Sequence, residues 1–237
     1  MLFDLDGTLI QTSAPFYHAY FRQLAALAIG IASPADFVRA VTTATEEVRA
    51  EGTGTASVGI RLLDRIAARL RTTPATLNAV FAAFYEDAYP SLRTTVTPLP
   101  GAAELLKAAA VTGAALCLAS DPVFPTAQLV ERLAWGGISP AVFAWVPGCY
   151  EVHALKPRAT YFRELASHFG VAPDQCLMIG NDAERDAPAA SIGMQVFLLT
   201  GPAHGVVDHS VTRDAASVPL HGDVSQAIQQ LQAWSEG

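Results

Sequence analysis

Met1-Leu2-Phe3-Asp4-Leu5-Asp6-Gly7-Thr8 opens the chain. Three apolar residues read as a very short strand, and Asp6-Gly7-Thr8 is the turn chemistry that ends it. Asp4 and Asp6, two apart on extended backbone, point the same way, and like charges held together are costly unless a cation neutralises them. Chemistry therefore begins at a strand end, and the pair calls for a metal.

Working outward, the chain from Ser13 to about Leu92 is helical in pattern. Ser13 with Pro15, Ser33-Pro34 and Thr73-Pro74 each look like an N-cap followed by a first-turn proline, and four helices are expected. The first carries Phe16, Tyr20, Leu24, Leu27 and Ala28 on one face; the third carries Leu62, Leu63, Ile66 and Leu70. Arg61, Arg65 and Arg69 recur every four residues on another face of that third helix, which reads as a solvated stripe, with anion binding as the alternative.

After Pro98-Leu99-Pro100-Gly101 the period switches to helix alternating with strand. Helices are expected near Ala102 to Thr112, Val123 to Trp135, Arg158 to Phe169 and Val224 to Trp234. Strands are expected at Ala114 to Ala119, Phe143 to Val146, Cys176 to Gly180 and Gln195 to Leu199. Strands apolar on both faces belong to a parallel sheet covered by helices, with ligands in the crevice beyond the strands' carboxyl ends. Gly201 to Asp214 is a loop without periodicity.

The second acidic pair, Asp182 and Asp186, follows the strand ending at Gly180, and one helical turn would align both on one face. Oxygen ligands without His or Cys favour Mg2+ over zinc. Ser120 follows the strand ending at Ala119, and Lys156 lies ahead of a helix; both suit a phosphate. Singly, each is ordinary: a turn, a cap, a surface charge, an acidic first turn. Their recurrence at the ends of different strands is what points to a site.

Bulk properties bound the rest. The 237 residues, 51% of them hydrophobic, suffice for one large domain with a smaller insertion. A net charge of −7 with no Lys/Arg block argues against nucleic-acid binding. The longest apolar stretch, Ala108 to Ala119, is shorter than the ~20 residues that cross a bilayer. Cys117, Cys149 and Cys176 lack metal-ligand spacing and fit a reducing compartment. A cytoplasmic protein without membrane partners is expected.

With these residues in hand, the chain resembles the haloacid dehalogenase superfamily over almost its whole length. The family's aspartate-any-aspartate-Gly-Thr segment matches Asp4 to Thr8, its Ser/Thr segment ends at Ser120, its lysine matches Lys156, and its acidic pair matches Asp182 and Asp186. The resemblance implies an α/β fold: a Rossmann-like, doubly wound parallel sheet with an inserted all-helical cap. Residues 1–13 and 94–237 would form the core and 14–93 the cap, similar to the caps of phosphoglycolate-phosphatase-like and phosphoglucomutase-like members.

It further implies a magnesium-dependent phosphatase acting on a small phosphorylated metabolite. Asp4 would be the nucleophile and Asp6 the acid and base. Asp4, Asp6 (through its carbonyl), Asp182 and Asp186 would hold Mg2+, and Ser120 and Lys156 the phosphoryl oxygens. Dehalogenating relatives lack the second acid, so Asp6 favours phosphoryl transfer; a mutase and a silent binding member are the alternatives. Relatives carry more apolar residues before the first aspartate, often Gly at position 181 and Asn at position 121, where this chain has Asn181 and Asp121. Phe16, Tyr17, His18 and His153 are candidate substrate contacts.

Overall fold

A computed structural model describes residues 1–201 and 219–235. The sheet has the strand order β4-β1-β5-β6-β7, parallel throughout, where β1 is Leu2–Phe3, β4 Cys117–Leu118, β5 Leu177–Gly180, β6 Gln195–Leu199 and β7 Leu220–Gly222. From β1 the chain first adds β4 on one side and then crosses to build β5, β6 and β7 on the other. The order reverses at β1, and a reversal of this kind opens the ligand crevice of open α/β sheets.

Although β1 is two residues long, its ladder extends past both ends. Cys117 N–H donates to the Met1 carbonyl (2.9 Å), Ala119 N–H to Phe3 (2.6 Å), and Asp4 N–H to Ile179 (2.9 Å). Leu2 and Phe3 are buried, as they must be with a strand on either side.

The chain leaves the sheet through β2 (Ile10–Thr12) and returns through β3 (Val96–Pro98), which pair antiparallel. The elements between are all helical: α1 Ala14–Leu27, α2 Pro34–Glu51, α3 Val58–Leu70, α4 Pro74–Ala83, then a π turn at Phe84–Ala88 and a 3-10 stretch at Tyr89–Thr95. Ser33 and Thr73 cap as expected, accepting from the N–H groups of Asp36 (3.2 Å) and Thr76 (3.1 Å). Ser13 does not: its hydroxyl donates to the Thr95 carbonyl (3.0 Å) and ties the two ends of the insertion together.

The arginine stripe on α3 is neither an anion site nor simply solvated. Arg61 pairs with Glu51 (2.9 Å), Arg65 with Glu47 (3.3 Å) and Glu51, and Arg69 with Glu47, so the stripe is one side of an ion-pair ladder against α2. The glutamates belong to a helix whose register against α3 only packing sets.

In the core, α5 (Ala102–Val111), α6 (Thr126–Trp135), α7 (Ala159–His168) and α8 (Val224–Ser235) follow the expected alternation, the first three with trimmed ends and α8 one residue longer. The strand expected near Phe143 to Val146 is absent. Trp145 makes one isolated bridge to Cys117, supported by bonds from Leu118 N–H to Trp145 (3.0 Å) and Ala144 N–H to Leu116 (2.8 Å). Pro147 and Gly148 follow at once, and proline, having no N–H, ends a ladder. The ribbon of β2 and β3 and the strand β7, at three residues each, are too short for periodicity to reveal. Of the aperiodic loop from Gly201 to Asp214, residues 202–214 lie outside the described residues. Among those described, no helix is long and apolar enough to cross a membrane, and all three cysteines are free and buried.

Candidate active site

The strands β4, β1 and β5 are neighbours, and each ends in a candidate residue: Ser120 after β4, Asp4 after β1, and Asn181-Asp182 after β5. Parallel strands in register bring their carboxyl ends to one edge, so three segments far apart in sequence meet there. With Asp6, Lys156 and Asp186, these residues line one cavity of about 570 Å³ between the sheet edge and the helical insertion.

The turn after Asp4 is built tightly. Leu9 and Ile10 N–H both donate to the Leu5 carbonyl (2.9 and 3.0 Å), and Gly7 N–H donates to Ile10 (2.8 Å). Gly7 sits at φ +80°, and a Cβ there would lie 2.4 Å from the Asn181 amide nitrogen, so glycine is required twice over. Thr8, fully buried, donates to Asn181 Oδ1 (3.0 Å), which links the β1 turn to the β5 turn.

At the cavity floor, Lys156 Nζ bridges Asp4 Oδ1 (2.8 Å) and Asp186 Oδ1 (2.6 Å), and all three side chains are buried. Burial works against the ammonium charge, but Asp186 and Asp4 outweigh it and hold Lys156 protonated well above its ordinary range. Asp4 is pushed up to about 7, because burial and the nearby Asp186 charge oppose ionisation more than Lys156 supports it. With both carboxylates ionised and Lys156 protonated, the cluster carries one net negative charge. An anionic phosphate could approach it only with added positive charge.

Asp182 and Asp186 share one turn, Asp186 N–H donating to the Asp182 carbonyl (2.8 Å), and both line the cavity, but their carboxylates take different partners. Asp186 folds back to accept the N–H groups of Asn181 and Asp182 (both 3.0 Å), whereas Asp182 accepts from Glu184 (2.8 Å) and Arg185 (3.1 Å). Backbone donors at a turn capture both side chains.

The Asp6 carboxylate is held by Arg132 of α6 and by Thr12. Arg132 is 0% exposed, its guanidinium stacked 4.9 Å from the Phe16 ring centre and 5.4 Å from that of Phe124. It is a fully buried cation whose Nε and Nη1 have no hydrogen-bond partner, so Asp6 and the two rings supply its compensation. Sequence reasoning missed it. The available signal was its position on the apolar face of α6, between Leu129 and Leu133: a charge at such a place needs a partner.

Asp121 points into the cavity wall and is doubly paired, with Arg49 of α2 (2.9 Å) and Arg185 (2.6 Å). Of the candidate substrate contacts, Tyr17 lines the cavity, its phenol pushed up to about 12 by burial and then by Asp6. Phe16 lies beneath Arg132, His153 is bonded to Glu164 (2.7 Å) outside the cavity, and His18 is not among the lining residues. The donors facing the floor are carboxylate oxygens, the set a hard cation such as Mg2+ accepts. Among the described residues no three His, Cys, Asp or Glu groups stand together as a ready cage. Magnesium tolerates that arrangement, since it keeps several waters and completes its shell with substrate phosphate.

The fold is shared with solved structures. A predicted phosphoglycolate phosphatase from Haemophilus somnus is 19% identical, with 97% of this chain and 96% of that one covered at a TM-score of 0.57. A HAD family hydrolase from Deinococcus radiodurans, crystallised with phosphate and sodium, is 20% identical over 99% and 95%, again at 0.57. The defluorinating L-2-haloacid dehalogenase Rha0230 is 16% identical over 98% and 94%, also at 0.57. At these identities the likeness is one of fold. No curated protein matches significantly. Residues 1–192 match the model of one family, and by that match, spanning every candidate residue from Asp4 to Asp186, the chain belongs to the haloacid dehalogenase-like hydrolases.

Proposed function

We propose that the protein is a magnesium-dependent phosphatase in which Asp4 attacks the phosphorus of a small phosphate monoester. The observation that carries this reading is the buried contact of Lys156 with both Asp4 and Asp186 at the floor of a cavity that Ser120, Asp6 and Asp182 also line. Asp6 favours phosphoryl transfer over dehalogenation, because attack at phosphorus uses an acid and base beside the nucleophile.

In the first step an Asp4 carboxylate oxygen forms a bond to phosphorus while the ester P–O bond breaks, and Asp6 gives its proton to the departing alkoxide. In the second, Asp6 takes a proton from water, the hydroxide oxygen bonds to phosphorus, and the Asp4–phosphorus bond breaks to release phosphate. Lys156 and Ser120 hold the equatorial oxygens as their charge redistributes. For the proton transfers Asp6 must rotate from Arg132 toward the ester oxygen. Asp4, Asp182, Asp186 and the Asp6 carbonyl would hold Mg2+, which when bound supplies the positive charge that lets one anion approach another. The helical insertion serves as a cap that keeps bulk water from the phosphoenzyme. The buried thiols suit a cytoplasmic setting.

Asp4→Asn tests the reading. The variant should fold normally, lose turnover, and fail to take label from a phosphorylated substrate; retained activity above about 1% of wild type would refute the nucleophile assignment. Chelation of divalent ions should abolish turnover of the parent and Mg2+ restore it.

A further inference from the structure

The cavity above Asp4 is far larger and less polar than a two- or three-carbon phosphate needs. Its volume, about 570 Å³, falls among pockets that hold drug-sized ligands, about 300–1,000 Å³. Away from the acidic residues, Ser120 and Lys156, the lining is mainly apolar, with Phe21 of α1, Leu62, Leu63 and Ile66 of α3, Phe81 of α4 and Phe124, while Thr42, Thr45 and Glu46 of α2 add polar groups. Tyr20 and Tyr85 at the same wall share one hydrogen bond between their hydroxyls (3.1 Å).

Each cation of the lining already has an anionic partner, although the buried Nε of Arg49 makes no hydrogen bond. Lys156 holds Asp4 and Asp186, Arg49 holds Asp121, and Arg185 holds Asp121 and approaches Asp182 (3.7 Å). A second anionic group on the substrate would have to break one of these pairs. A polyhydroxylated leaving group would place most of its hydroxyls against aliphatic and aromatic carbon, since Thr42, Thr45 and Glu46 offer few partners, and an unpaired hydroxyl there loses its hydration without return.

From these walls and pairings we infer that the substrate is a phosphate monoester of an uncharged, predominantly apolar alcohol, its hydrocarbon part seated between α1 and α3. The inference rests on the phosphatase reading and narrows it. An apolar group that leaves water on binding gains free energy in proportion to the area covered, whereas a small polar alcohol gains little from these walls.

The test compares alkyl phosphates with leaving groups of similar basicity, so that chemistry is held constant: 3-phenylpropyl phosphate, n-hexyl phosphate, glycerol 3-phosphate and phosphoglycolate, each scored by kcat/KM with Mg2+. The two apolar esters should exceed the two polar ones by at least 100-fold, mainly through KM. Leu63→Trp, at a half-buried wall position, and Ile66→Trp, at a buried one, should each lower the ratio of phenylpropyl to glycerol phosphate at least tenfold. Leu63→Trp serves should Ile66→Trp fail to fold. If glycerol 3-phosphate or phosphoglycolate is turned over as well as the apolar esters, or the filled cavity leaves the ratio unchanged, the inference is wrong and the phosphatase reading stands. If no ester is hydrolysed and Asp4 takes no label, the phosphatase reading itself fails.

Discussion

Replacing Asp6 by Asn should destabilise the protein as well as silence it, because the carboxylate compensates a cation that has no other anionic partner in its contacts. Arg132 is 0% exposed with Asp6 as its ion-pair partner. Two unit charges about 4 Å apart at an effective dielectric of about 20 attract by about 4 kcal/mol, and breaking a buried pair from one side typically costs about 3–5 kcal/mol. Asp6 is 30% exposed on its side chain, and asparagine still accepts a hydrogen bond, so the expected loss is reduced to about 2–3 kcal/mol. For a chain of 237 residues that lowers Tm by about 5–10 °C. Chemical denaturation of D6N, R132M and the double variant completes a cycle. The double variant should match R132M alone, since methionine leaves no buried charge to orphan, while activity should stay lost in both variants that lack Asp6. A D6N variant within about 0.5 kcal/mol of wild type would refute the reasoning, and Arg132 would then be compensated by the faces of Phe16 and Phe124.

Other consequences follow from the floor of the cavity. Burial raises Asp4 to about 7 in the ion-free protein, so between about pH 4 and pH 7 the folded state keeps a proton that the unfolded chain has shed. Stability should therefore fall as pH rises through that window, and urea unfolding of chelated protein at pH 5 and pH 7.5 measures it; Asp4→Asn should remove the dependence. Because Mg2+ prefers the ionised carboxylate, the stabilisation it confers should grow across the same window and be small at pH 5, as thermal shifts with and without the ion would register. At Gly180 a Cβ would lie 2.0 Å from Asp186 Oδ2, against a side chain with no exposed surface. Gly180→Ala should accordingly cost about 1–3 kcal/mol by overcrowding and weaken Mg2+-dependent turnover, as unfolding and metal titration would show.

Much of the cavity floor was legible in the linear order. Asp4 and Ser120 each follow an apolar run, Asp182 and Asp186 follow another, and strand ends in a parallel sheet gather at one edge; that rule of geometry needs no contact information. The four-helix insertion was equally legible, since Ser33 and Thr73 with their prolines, and the apolar faces of α1 and α3, are local signals within one or two turns, although Leu27, expected on the α1 face, is exposed. What local signals could not carry was the pairing of charges across elements. The α3 arginines meet glutamates ten to twenty-two residues away, Asp121 meets Arg49 seventy-two residues earlier, and Asp6 meets Arg132 one hundred and twenty-six residues later.

Sequence by itself determined the fold class and the residues available for chemistry at the strand ends. Only the tertiary structure decided which way each carboxylate turns: Asp4 and Asp186 toward Lys156, Asp182 toward its own backbone, Asp6 toward a buried arginine. The reason is physical. Strand and helix signals repeat every two to four residues and are written locally, whereas a side chain's direction is set by whichever donor the packed chain brings within about 3 Å of it.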